Sequence, residues 1–165
     1  MKNRFLVWSG SLMVAVGVSM ADEPEETVFA RSLSDAGDPA RLEHVMARAT
    51  KGEAITVAVI GGSITGGARA SKPENRYGNR IWAWWKEQFP TSRVAWVNAG
   101  IGGTGSDFGS VRAGPDLLAA HPDVVVVEYS VNDGNCQRSA ETLEGLVRQI
   151  LKQPNLPAAV LLFMM

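Results

Sequence analysis

Three short apolar runs in this chain each end in a small polar turn, and that repetition narrows the possible folds more than any other feature. Ala58-Val59-Ile60 leads into Gly61-Gly62-Ser63-Ile64-Thr65. Val94 to Val97 leads into Asn98-Ala99-Gly100-Ile101-Gly102-Gly103, and the four valines Val124 to Val127 lead into Glu128-Tyr129-Ser130-Val131-Asn132-Asp133. The run from Ile55 to Ile60 is β-branched and reads as a buried first strand. In a parallel sheet the carboxyl ends of strands lie side by side, so a serine, a glycine amide and an asparagine amide can converge there.

The segments between these runs read as helices. Asp38 before Pro39 is a helix start, with a side-chain cap and then proline in the first turn. Leu42, Val45, Met46 and Ala49 share one helical face, which Lys51 and Gly52 terminate. A polar loop spans Arg69 to Arg76, and a helix is expected over Tyr77 to Gln88. Within it Ile81 and Trp85, with Phe89 beyond, recur every four residues and face the sheet. Trp82 and Trp84 flank that stripe. Core packing is the favoured reading of these tryptophans, and a sugar platform is the alternative. A further helix is expected within Gly109 to Ala120. Another starts near Ser139 and buries Leu143, Leu146, Val147, Ile150 and Leu151. Ala158 to Met165 reads as a fourth strand.

Strand and helix in alternation predict an α/β sandwich with a parallel sheet. The chain stops inside an apolar strand, and native proteins cover such edges. An N-terminal piece of a longer protein is therefore expected.

At 165 residues one domain is expected, preceded by two short segments. Lys2 and Arg4, the uncharged run Phe5 to Val18, and Ser19-Met20-Ala21 form an export signal, residues 1–21, with cleavage after Ala21. An uncleaved anchor is the alternative, for which the run is short. Export would leave 14 basic and 17 acidic side chains, a formal charge of −3. A secreted or periplasmic location follows, without stable membrane insertion once the signal is removed. Residues 22–37 form an acidic lead-in, and 38–165 the incomplete domain. No basic block suggests a nucleic-acid partner. The single cysteine, Cys136, cannot form an internal disulfide. With two histidines and one cysteine a metal site is not expected, and no cofactor is implied.

The three turns resemble the first three sequence blocks of the SGNH hydrolases, also called the GDSL esterase and lipase family. The order and spacing fit, with 40 residues from Ser63 to Gly103 and 29 from there to Asn132. Two positions depart from the usual pattern. Gly62 stands where the family has aspartate, and Val131 where it has glycine. The family's last block, Asp-x-x-His, is not matched. Arg41 precedes His44, and Leu118 precedes His121, at the position that block gives to aspartate.

The resemblance implies a three-layer α/β/α sandwich with a flavodoxin-like parallel sheet, strand order 2-1-3-4-5, truncated after the fourth strand. It also implies roles. Ser63 is the nucleophile. Its own N–H, the N–H of Gly103 and the side-chain amide of Asn132 form the oxyanion hole, with Gly102 or Gly100 as alternative donors. Asp133 is expected to be a structural acceptor, and Glu128 to be paired or at the strand's end. The activity implied is that of an exported serine esterase acting on an O-acyl ester, acetyl on carbohydrate being the leading choice. The catalytic histidine falls outside this stretch, so the 165-residue chain by itself is expected to be nearly inactive. Small-molecule or polysaccharide esters are the expected partners.

Two other classes compete. Gly100-x-Gly102-x-x-Gly105 is a literal dinucleotide fingerprint, with Asp123 as its approximate acidic partner. A carbohydrate-binding module without catalysis is the third reading.

Overall fold

The computed structural model describes residues 30–164. The expected export signal and residues 22–29 lie outside them. The chain falls into two units, Met1–Gly37 and Asp38–Met165. Residues 30–37 of the first unit are exposed, and in their last turn the Gly37 N–H donates to Asp35 Oδ1 at 2.8 Å.

The second unit carries the fold. Its elements are α1 (Ala40–Thr50), β1 (Ile55–Gly61), α2 (Ser63–Gly66), α3 (Tyr77–Gln88), β2 (Val94–Gly100), α4 (Ser106–Asp116), β3 (Val124–Glu128), α5 (Gln137–Leu151) and β4 (Ala158–Leu161). The four strands form one sheet in the order β2-β1-β3-β4, and every pairing is parallel. This is the order expected of a flavodoxin-like sheet up to its fourth strand.

Side chains alternate across each strand, and the core is accordingly split between the two faces. On one face Ala58, Ile60, Val125 and Val127 meet Ala113 and Leu117 beside α5's Leu146 and Ile150. On the other, Ile55, Val57 and Val124 pack with Val45 and Ala49 of α1 and with Trp85 and Phe89. The result is a helix–sheet–helix sandwich. The tryptophan stripe is mainly packing. Trp85 is buried, Trp82 donates its indole N–H to Val94 O at 3.0 Å, and Trp96 stacks on Trp82. Trp84 stays exposed.

Four element boundaries differ from the sequence expectation. β2 runs on through Asn98 to Gly100, because β1 offers a parallel partner along that whole length, ending at Gly61 opposite Gly100. α4 begins at Ser106, three residues before the expected window, because its first N–H finds a cap far off in sequence: Ser106 N donates to Asp133 Oδ1 at 2.9 Å. α5 begins at Gln137, so Ser139 lies in its first turn and is not its cap. β4 ends at Leu161, four residues before the expected end.

Both ends of α1 are as expected. Asp38 Oδ1 accepts the Ala40 N–H at 2.9 Å, which caps α1, and Gly52 takes a φ of 82° just past its end. Asp123 is buried at the amino end of β3. It accepts the Thr56 N–H at 2.8 Å and pairs with Arg48 at 2.6 Å. No helix among the described residues is long and apolar enough to cross a membrane.

Candidate active site

Gly61 of β1 is in register with Gly100 of β2 and Glu128 of β3. The three strand ends are therefore level, and the turns that follow them emerge side by side. Ser63 opens the short helix α2 directly after β1, with Gly62 at its N-cap position. The hydroxyl of Ser63 makes no hydrogen bond to another described residue. It is not spent on capping, and it remains partly exposed at the mouth of the site.

The turn after β2 supplies glycine amides. Gly100 is excluded as an oxyanion donor, since its N–H already binds Asn98 Oδ1 at 2.9 Å. Gly102 lies against Ser63, and a Cβ placed on it would sit 3.7 Å from Ser63 Cβ. Gly103 has a φ of 73°, a left-handed conformation in which glycine is unstrained, and the space around its Cα is open. Asn132 arrives from the turn after β3. Its side-chain amide packs against Gly62, and a Cβ there would contact Asn132 Oδ1 and stand 2.9 Å from Asn132 Cγ. Gly102 is thus beside Ser63, and Asn132 beside Gly62, the residue before Ser63. Gly103 and Asn132 line one shallow polar cleft of about 350 Å³ with Asp107, Arg138 and Thr142, whose lining does not include Ser63 or Gly102.

Gly62 explains part of this geometry. The position that carries aspartate in the usual family pattern has no side chain here, and the Asn132 amide occupies the room. Gly62→Ala is expected to displace that amide and lower kcat about tenfold or more, with some loss of stability because the new Cβ would also stand 3.3 Å from the Thr104 carbonyl oxygen. Steady-state kinetics beside thermal denaturation test it. An unchanged kcat would mean that Asn132 does not need this seat.

Supporting residues set the turns. Thr65 Oγ1 is hydrogen-bonded to Tyr77 Oη at 2.8 Å, which ties α2 to α3. Asn98 Nδ2 donates to Thr65 O at 3.0 Å and so ties α2 to β2. Glu128, fully buried at the end of β3, accepts from Ser130 Oγ at 2.9 Å and from Val131 N at 3.3 Å, and shapes the turn that presents Asn132. Asp133 caps α4, the structural role expected of it. Sequence reasoning missed Thr65, Tyr77 and Arg112, a buried residue of α4. Their partners are distant in sequence, and no local period marks them.

Burial pushes the Tyr77 phenol up to about 12, although its bond to Thr65 opposes the shift. The unfolded chain releases this proton near pH 10. Between about pH 10 and 12 the unfolded state binds fewer protons than the native state, so stability falls as pH rises. Tyr77→Phe is expected to make that alkaline decline shallower. Denaturation midpoints measured across this range test it, and an unaltered slope would contradict it. Tyr129, also raised by burial, contributes to the same limb.

Neither histidine reaches this end of the sheet from its place in the chain. His44 is an exposed residue of α1, a helix whose Arg41 binds Leu151 O and Pro157 O on the approach to β4. His121 precedes the amino end of β3, and its carbonyl accepts from Asn155.

The dinucleotide reading fails on two observations. The α4 N-terminus that would receive a pyrophosphate is occupied by the Asp133 carboxylate. Asp123, the would-be ribose ligand, is at the opposite end of the sheet and paired with Arg48.

The family model for GDSL-like lipases and acylhydrolases matches residues 59–164, which takes in all three turns. The chain belongs to this GDSL-like lipase/acylhydrolase family. No curated protein matches it. Among solved structures, this GDSL-like chain is similar to a two-domain esterase (CEX) described as active on acetylated mannans. The identity is 46%, over 78% of this chain and 35% of that one, with a TM-score of 0.77. The same esterase co-crystallised with mannopentaose gives 47% identity over 76% and 34%, with a TM-score of 0.74. An acetyl xylan esterase from Geobacillus stearothermophilus, Axe2-W215I, shares the fold at 23% identity over 65% and 58%, with a TM-score of 0.52. The chain spans about a third of the length of the two-domain esterase.

Proposed function

We propose that this chain carries the nucleophile and the oxyanion donors of an exported serine esterase that removes acetyl groups from a carbohydrate. The reading is supported by the level ends of β1, β2 and β3, where Gly102 lies beside Ser63 and Asn132 lies beside Gly62. Export rests on the charged start, apolar run and small residues up to Ala21. The choice of an acetylated polysaccharide rests on the similarity to an esterase active on acetylated mannans.

In the proposed reaction Ser63 Oγ attacks the ester carbonyl carbon, and its proton passes to a histidine. That base is the histidine of the Asp-x-x-His block which the family resemblance implies. The carbonyl oxygen gains the negative charge and is held by the N–H of Ser63, a glycine N–H from the Gly102-Gly103 turn and the Asn132 amide. Collapse breaks the bond to the sugar oxygen, which takes up the proton held by the histidine and leaves as a hydroxyl, giving acetyl-Ser63. Water, deprotonated by the same base, then releases acetate and restores the serine.

The test is acetate release from acetylated mannan by the purified product of the gene that encodes this chain. A phosphonate ester probe, mapped by mass spectrometry, reports the nucleophile. Acetate release with the adduct on the Ser63 peptide is expected. Release with the adduct elsewhere, or no release, would overturn the reading.

A further inference from the structure

We propose that Arg112 is a positioning residue that locks the three catalytic turns to one another from beneath. The proposal rests on the role given above to Ser63, Gly102-Gly103 and Asn132. Arg112 belongs to α4 and is 6% exposed. Its Nη2 donates to Ala99 O at 2.7 Å and to Tyr129 Oη at 3.1 Å, and it reaches Gly61 O at 3.4 Å. Gly61 stands two residues before Ser63, and Ala99 leads into the Gly102-Gly103 turn. Tyr129 begins the turn that ends in Asn132, and its carbonyl accepts the N–H groups of Asn132 at 2.9 Å and Asp133 at 2.8 Å. A single nitrogen therefore touches the end of β1, the backbone just before the end of β2 and the side chain of the residue that follows β3.

Packing alone does not account for this residue. A guanidinium in the core loses hydration, and its one carboxylate partner, Asp116 at 3.1 Å, is itself 40% exposed. Arg112 Nε is buried with no partner among the described residues, which adds to the cost. An apolar side chain of similar volume would avoid both. What arginine supplies in return is a planar, permanently charged fork whose donors can meet several acceptors at fixed angles. Gly109 makes room for the arrangement, because a Cβ there would collide with the Tyr129 ring, 2.6 Å from Cζ. The Phe108 ring centroid lies 5.8 Å from the guanidinium carbon.

The experiment compares the wild-type gene product with Arg112→Met, Arg112→Lys and Tyr129→Phe. It measures kcat and KM separately on an acetyl ester, and hydrogen exchange of the Ile101–Thr104 peptide in the same samples. Arg112→Met is expected to lower kcat about 30-fold, short of the 10²-fold that a 1 Å misplacement can cost, with KM changed less than about twofold. Exchange in the Ile101–Thr104 peptide should rise about tenfold. Arg112→Lys should recover part of the rate, because an ammonium can still bind one carbonyl. Tyr129→Phe, which deletes a single hydroxyl, should fall between, and it decides the question if Arg112→Met does not fold. A lower melting temperature with kcat per folded molecule and exchange both unchanged would overturn the proposal. If the wild type hydrolyses no ester, the functional reading fails. The exchange difference then still tests whether Arg112 holds the turns.

Discussion

Ser63→Ala is expected to reduce ester hydrolysis by about 10⁴-fold or more while leaving the fold intact. The hydroxyl is partly exposed at the mouth of α2 and makes no hydrogen bond to a described residue, so its removal costs little stability. Its loss leaves no atom to accept the acyl group, and the residual rate would come from the oxyanion donors acting on bound water. Turnover of p-nitrophenyl acetate and circular dichroism on matched samples provide the check. A variant that keeps more than about a tenth of the wild-type rate would remove Ser63 from the mechanism, whatever the family pattern.

Asn132→Ala is expected to lower kcat by about 10² to 10³-fold, or roughly 3–4 kcal/mol of barrier, with a smaller change in KM. In its proposed role the amide meets charge that develops only in the transition state, so its deletion would fall on the chemical step. Asn132→Asp should be at least as damaging, since an ionised carboxylate beside the oxyanion repels it. The contrast with Gly62→Ala is informative. That substitution leaves the amide present but moves it, and a milder loss is expected. If Asn132→Ala were no worse than Gly62→Ala, the amide's presence would matter less than the shape of its seat.

Much of this arrangement could be read from the chain alone. The strand ends were visible because β-branched runs stop abruptly at Gly61, at Asn98-Ala99-Gly100 and at Glu128, and because parallel strands level those stops. The helix over Tyr77 to Gln88 was visible because Ile81, Trp85 and Phe89 keep a helical period. What stayed hidden depends on partners far apart in sequence. α4 starts at Ser106 only because Asp133 reaches back 27 residues to cap it. β2 continues through Asn98 only because β1 lies beside it. Arg112 gave no local sign, as an arginine between Val111 and Ala113 reads as a surface residue. One trace was available: Gly109 and Ala113, three before and one after it, mark the helix's narrow inner face. The turn glycines could not be ranked from sequence, and the Asn98–Gly100 bond is what removes Gly100 as a candidate.

The Asp133 cap has a consequence for how the site responds to heat. Asp133 follows Asn132 directly, and Ser106, which it holds, lies three residues beyond Gly103. Drift of α4 should therefore carry the glycine corner and the asparagine corner together. These two corners would then wander together, and only their distance from Ser63 would change.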